Sequence, residues 1–468
     1  MIRAYAILSV LLSTAAVAAQ PTWITMQSEN FQVYSSAGER DTRSYLNQFE
    51  RVRGFFSQST GYSPAKARPV TVVIFGSEKE YQPYRFNEFA VAYYANRSDR
   101  DFIVVGKLGE QSSQTATHEY THLVFERAGF SLPPWLNEGL AEVFSTLRPA
   151  GTNTDFGHIL PGRLQALNRE PWVPMATILA ADQKSPYYNE TEQAGSLYNQ
   201  GWAFVHMLMT TNQYRTHFWE VVKSVDHGTP SVQALETAYG MPLATIEGAL
   251  RHYISGNAFN KLRVKITLDA TESLTSQPAD MFDVREAQAE LLMGLAGKQQ
   301  EARARFEELA REDAKRPEPW ANLGYLSWRD GKPDEAEQHF ARAFELGSRS
   351  PRLLLDYASL AEGDKPEQST AVLKVLLDLE PKNLDARLLL AELQMDQSQY
   401  AEALATVRLI SQVRTVEQRD RLIYLHAFAS MRLGDMPEAR VRAEELKRVS
   451  ASEERRSQAD EILRFANQ

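Results

Sequence analysis

The stretch Thr117-His118-Glu119-Tyr120-Thr121-His122-Leu123-Val124-Phe125, with Leu132-Pro133-Pro134-Trp135-Leu136-Asn137-Glu138-Gly139-Leu140-Ala141-Glu142 just downstream, decides how the first half of this chain is read. Residues four apart on an α-helix point to nearly the same side, one turn apart in height. His118 and His122 therefore share a face and can hold one metal ion, with Glu119 beside them in reach of a water. The two prolines suit a helix start, where a missing amide hydrogen costs nothing. The helix they open carries Glu138 and Glu142 on one face. Gly139, with no side chain, is expected to let this second helix pack closely against the first. Two histidines and a carboxylate leave a fourth position open, as a catalytic zinc needs. The bland alternative is a helix whose histidines only hydrogen-bond to their neighbours.

Composition narrows the chemistry further. The chain has 468 residues, 51 basic and 60 acidic side chains, and no cysteine. Its length implies two or three domains, and 43% hydrophobic residues suffice for a buried core. A formal charge of −9 argues against a nucleic-acid binder, which needs a basic surface. The lack of cysteine excludes disulfides, thiolate catalysis and cysteine-ligated metals, so any metal must sit on histidine and carboxylate. Residues 1–19, with Arg3, an apolar stretch and Ala15-Ala16-Val17-Ala18-Ala19, have the form of a secretory signal peptide. Export is expected: periplasmic in a Gram-negative source, otherwise secreted. No integral membrane segment is expected after cleavage.

The two halves differ in character. Before residue 260 lie seven of the nine histidines, and strand and helix signals alternate. Phe31–Tyr34 and Val70–Gly76 read as strands, 39–59 as a helix broken at Gly61 and Pro64. Asp101–Gly106 reads as a short strand flanked by charge, which suits a sheet edge. Residues 20–265 are expected to form one α+β domain and 266–282 a linker. Residues 283–468 read as helical with an internal period. Trp320, Ala321, Leu323, Gly324, Gly331, Ala336, Phe340 and Ala343 alternate large and small. Gly297, Ala302, Phe306 and Leu309 precede them in the same order. Ala391, Tyr400, Ala403 and Val407, then Ala427, Gly434, Ala439 and Leu446, follow. A degenerate copy fits 350–383. This pattern resembles the tetratricopeptide repeat, a helix pair of about 34 residues, and about five units fit. Stacked pairs offer a groove for a protein or peptide partner.

The first half resembles the gluzincin metallopeptidases, the thermolysin-like group, and most closely their small peptidase MA-like bacterial families. The resemblance rests on His118-Glu119-Tyr120-Thr121-His122 followed by Asn137-Glu138-Gly139-Leu140-Ala141-Glu142. It implies a zincin-like domain with a mixed sheet, an edge strand and a helical lower lobe. It implies one zinc ion per chain on His118, His122 and Glu138, with Glu119 as general base. Glu142 then orients a ligand histidine. Tyr198-Asn199-Gln200-Gly201-Trp202 is similar to the Tyr-x-x-Gly-aromatic helix of the one-zinc aminopeptidases. That makes Tyr198 the donor that stabilises the oxyanion; a core tyrosine is the alternative. His206 is a rival donor and is set aside as a helix-face histidine. The Gly-x-Met-Glu-Asn segment of those aminopeptidases is missing, which argues for an endopeptidase on unfolded or envelope polypeptides. Phe102, Ile103, Val104 and Val105 are expected to pair with an extended substrate as an edge strand. Two rival readings stand: a non-catalytic scaffold for envelope assembly with a structural metal, and the same catalysis directed at cell-wall peptide cross-links.

Overall fold

The computed structural model describes residues 22–60, 69–88, 90–97, 100–106, 109–150, 153–189, 194–266, 274–413 and 415–467. The signal segment and the Gly61 and Pro64 break lie outside these residues. The chain divides into two compact units, one of Met1–Tyr94 with Phe102–Met281, the other of Ala95–Asp101 with Phe282–Gln468.

In the first unit, six strands form one mixed sheet in the order β4-β5-β3-β2-β1-β9. These are β1 (Ile24–Gln27), β2 (Phe31–Ser35), β3 (Val70–Ile74), β4 (Ala92–Asn96), β5 (Asp101–Val105) and β9 (Gln277–Pro278). β2, β3 and β5 run parallel, and β1 lies antiparallel to β2. Parallel strands are covered on both faces and so carry continuous apolar runs. Val70-Thr71-Val72-Val73-Ile74 is buried throughout. The hydrogen bonds Arg97 N–Arg100 O and Gly106 N–Val91 O bracket β4 and β5 as an antiparallel pair.

This order corrects the edge-strand expectation. β5 lies between β4 and β3, and the side chains of Phe102, Ile103, Val104 and Val105 are fully buried. Four consecutive apolar residues suit an interior strand, and the flanking charges end the strand without exposing it. The terminal strands are β4 and β9. Within 266–282, Gln277–Pro278 joins the sheet beside β1, and 267–273 lie outside the described residues.

A helix, Glu39–Thr60, links β2 to β3. It packs on the sheet together with the motif helix, Glu110–Arg127. Their junction is an aromatic cluster in which Phe31, Phe49 and Tyr120 stand 5.3–5.9 Å apart. Tyr120 and Thr121, the two residues between Glu119 and His122, are buried and anchor the motif helix. The glutamate helix, Pro134–Phe144, starts on Pro134 as expected. It packs on the tyrosine helix, Ala194–Thr210, through glycines. A Cβ on Gly139 would lie 2.5 Å from Val205 Cγ2 and 2.7 Å from Gly201 O. A Cβ on Gly201 would lie 3.0 Å from Trp135 O. Gly139 thus opens a crossing with the tyrosine helix, not with the motif helix. A three-stranded antiparallel sheet of β6 (Arg148–Ala150), β7 (Asn153–Phe156) and β8 (Leu262–Lys265) completes the described strands.

The second unit carries eleven helices from Met281–Met293 to Glu453–Ala466. Five pairs precede the last helix. The second helix of each pair bears a buried small residue at its fourth position: Ala302, Ala336, Ser369, Ala403 and Ala439. Ser369 is the marker of the degenerate copy, and its hydroxyl donates to the Ala358 carbonyl. Serine is small enough for the close approach and satisfies its own polar group there. Gly324 serves the same packing, since a Cβ on it would lie 2.4 Å from the Phe340 ring. A helical repeat solenoid results.

Candidate metal centre

The buried Tyr120–Thr121 face fixes the roll of the motif helix and turns His118 and Glu119 toward a cleft. The cleft holds about 360 Å³ and is lined by Gln114, Thr115, His118, Glu119, Glu142, Arg163 and Tyr198 among others. Three donor atoms converge at His118, which lines it. His118 Nε2 lies 3.1 Å from His122 Nε2. Glu138 Oε2 lies 3.3 Å from His118 Nε2 and 3.5 Å from His122 Nε2. Among the described residues, these three are the one group of His, Asp and Glu side chains whose ligand atoms could hold a metal ion.

The donor set fits a small divalent cation. Ligands about 2.0–2.1 Å from a tetrahedral centre stand roughly 3.3–3.4 Å apart, close to the spacings seen. Glu138 is 3% exposed, and its Oε2 has no hydrogen-bond partner. A buried, unsatisfied carboxylate oxygen is costly unless a cation meets it. Electrostatics point the same way. Burial alone would lower the His118 pKa, but the carboxylates of Glu138, Glu142 and Glu119 raise it to about 9. Burial alone would raise Glu138, but the imidazoles of His118 and His122 beside it bring it to about 2. The centre favours positive charge.

The groups around this triangle are placed by other helices. Glu142, one turn beyond Glu138, stands 3.8 Å from His118 Nδ1. Arg163, from helix Pro161–Arg169, holds the Glu142 carboxylate and reaches Asn199 Oδ1 at 3.3 Å. Its guanidinium also lies over the Tyr198 ring, 5.2 Å from the centroid. Glu119 accepts a hydrogen bond from the Tyr94 backbone amide of β4. Burial raises the Glu119 pKa above the usual carboxylate range, against the pull of both histidines. A carboxylate so raised is better matched to taking and returning a proton.

Two tyrosines face the centre. Tyr198 lines the cleft, and burial, reinforced by Glu138, raises its pKa so that it stays a protonated donor. Tyr188 donates to Glu138 Oε1 at 3.4 Å. Sequence reading missed Tyr188 and Arg163. Both reach the centre from helices of their own, and no local spacing ties either to the histidine motif. His206 is a core residue, fully buried between Gly157 O and the Tyr253 hydroxyl at 2.8 Å each. Burial lowers its pKa to about 4.

Residues 359–417 match the tetratricopeptide repeat family model. The match begins in the degenerate copy and falls in the second unit. No curated protein matches the chain. Among solved structures, the chain resembles YrrB, described as a TPR protein with an unusual peptide-binding site. Identity is 14% and the TM-score 0.34, over 38% of this chain and 90% of that one. It also resembles PilF of Pseudomonas aeruginosa, with 18% identity and a TM-score of 0.31, over 38% of this chain and 82% of that one. PilW, described as a widely conserved type IV pilus biogenesis factor, has 16% identity and a TM-score of 0.30, over 40% and 87%. Likenesses this distant say nothing of this chain's own partners.

Proposed function

We propose that the first unit is a zinc-dependent metallopeptidase of gluzincin type, with a zincin-like fold, and that the repeat array binds a protein or peptide partner. One observation carries this reading: His118 Nε2, His122 Nε2 and Glu138 Oε2 converge within 3.1–3.5 Å, with Glu119 on the same helix face. Those three residues would hold the metal. When bound, zinc supplies Lewis acidity toward a carbonyl and makes a water easier to deprotonate. Glu119 would serve as the general base, accepting a proton from a water in the cleft and returning it to the leaving amine. Tyr198 donates to the oxygen on which negative charge develops. Glu142 faces His118 Nδ1 and would orient that ring, and Arg163 holds Glu142.

β4 is a terminal strand of the sheet, and its Tyr94 amide donates to Glu119. An extended polypeptide pairing with that edge brings its backbone to the base. This pose favours unfolded chains, in the envelope or outside the cell if the expected export holds. Among the described residues, no helix is long and apolar enough to cross a membrane.

The test uses purified full-length protein, unfolded casein, wall peptides and a chelator. Zinc-loaded protein is expected to cut casein, chelation to stop it, and Glu119→Gln to keep zinc while losing at least about 100-fold in turnover. Full activity in Glu119→Gln sinks the mechanism. A second reading, a non-catalytic scaffold with a structural metal, is favoured by the family match, which falls on the repeats alone. Zinc-loaded protein that cuts neither substrate would establish that reading over the first.

A further inference from the structure

A second cavity, of about 910 Å³, opens beside the cleft and shares Gln114 and Ser145 with it. One wall is the face of helix Glu39–Thr60 that carries Asp41, Ser44, Tyr45, Gln48 and Arg51, a run of roughly 15 Å. The opposite wall is the first turn of the motif helix and Leu147–Arg148. Some of its polar groups are engaged within the fold. Gln48 donates to Leu147 O at 2.9 Å, and Arg148 is paired with Glu110.

Arg51 is among those that are not. Arginines 43, 85, 148, 163, 251 and 263 of the same unit each hold a carboxylate. Arg51 has no such partner among the described residues. It is half-buried in the middle of its helix, away from the last turn, where a cation would favour the helix dipole. An unpaired guanidinium in a polar groove that continues an active-site cleft is suited to a carboxylate of the ligand.

We propose that this cavity receives the part of an extended polypeptide beyond the cleft, and that Arg51 selects an acidic side chain there. The inference rests on the peptidase reading for its substrate, but its recognition step does not require turnover. Asp41, about ten residues up the same helix face, sets the opposite sign at the far end of the groove. The preferred ligand is therefore acidic at one position and not uniformly anionic.

The test uses two fluorescein-labelled decapeptides of one apolar and serine framework, one carrying a glutamate where the other carries a lysine, with the charge scanned along the chain. Binding is read by anisotropy on zinc-loaded full-length Glu119→Gln, and cleavage on the wild type. At one position the glutamate peptide is expected to bind roughly threefold to tenfold better than the lysine peptide. Adding Arg51→Glu is expected to reverse that preference, and adding Arg51→Gln to abolish it. An unchanged preference after Arg51→Glu, or none at any position, overturns the proposal. An Arg51-dependent preference without cleavage leaves the pocket standing and removes the peptidase reading. Cleavage without such a preference does the opposite. Peptides neither bound nor cut overturn both.

Discussion

Glu142 Oε1 stands 3.8 Å from Nδ1 of His118, across the ring from the nitrogen that faces His122 and Glu138. The same Oε1 is held by Arg163. A carboxylate so placed fixes the tautomer and direction of a ligand histidine. Glu142→Ala is expected to weaken zinc affinity by about 10- to 100-fold, read by competition with a fluorescent chelator. Arg163→Ala is expected to cost less, because Glu142 remains near the ring. Wild-type zinc affinity in Glu142→Ala would reduce that residue to a packing role.

The two tyrosines are expected to separate by function. Tyr198→Phe removes the proposed donor to the oxyanion and leaves the ligands intact, so turnover falls by about 100-fold or more at full zinc content. Tyr188→Phe removes a hydrogen bond to Glu138, so its main effect is a modest loss of zinc affinity. Turnover and metal content measured on both variants check this. The reverse assignment would make Tyr188 the donor.

Gly139→Ala places a methyl group 2.5 Å from Val205 Cγ2 and 2.7 Å from the Gly201 carbonyl. The backbone there cannot yield as a side chain does. A destabilisation of about 1–3 kcal/mol is expected, seen as a lower midpoint in urea. Gly162→Ala is the control, since nothing lies within 4 Å of a Cβ at that position.

His206 gives a pH dependence of stability with a definite sign. Its folded-state pKa of about 4 lies below the ordinary histidine value of 6.5, because burial disfavours the charged ring. The unfolded chain therefore takes up a proton that the folded chain refuses as pH falls below about 6.5. Between pH 7 and pH 5 this lowers stability by about 2 kcal/mol, with the penalty levelling off below about pH 4. Urea midpoints of wild type and His206→Gln at both pH values isolate the contribution. An equal pH dependence in the two proteins would assign it elsewhere.

The readable parts of the sequence were those set by local geometry. The four-residue spacing of His118 and His122 and the proline start before Glu138 place ligands on helix faces whatever lies around them. Ala302, Ala336, Ala403 and Ala439 were legible for a similar reason, since a repeat must preserve its close contacts. What depended on long-range pairing was not legible. Asp101–Val105 read as an edge because charge flanks it, while the real edge, Ala92-Tyr93-Tyr94-Ala95-Asn96, has no β-branched residue to announce a strand. Gly139 signalled a close crossing but not its partner. Arg163 and Tyr188 enter from helices whose positions only the folded chain fixes.

The contact between Gly139 and Gly201 gives the site a particular mode of failure. Glu138 immediately precedes Gly139, and Tyr198 lies one turn before Gly201, so that crossing sets the separation between the proposed metal ligand and the proposed oxyanion donor. A disturbance that parts these two helices disables both together. Damage here is therefore expected to lower metal retention and turnover of the proposed peptidase together.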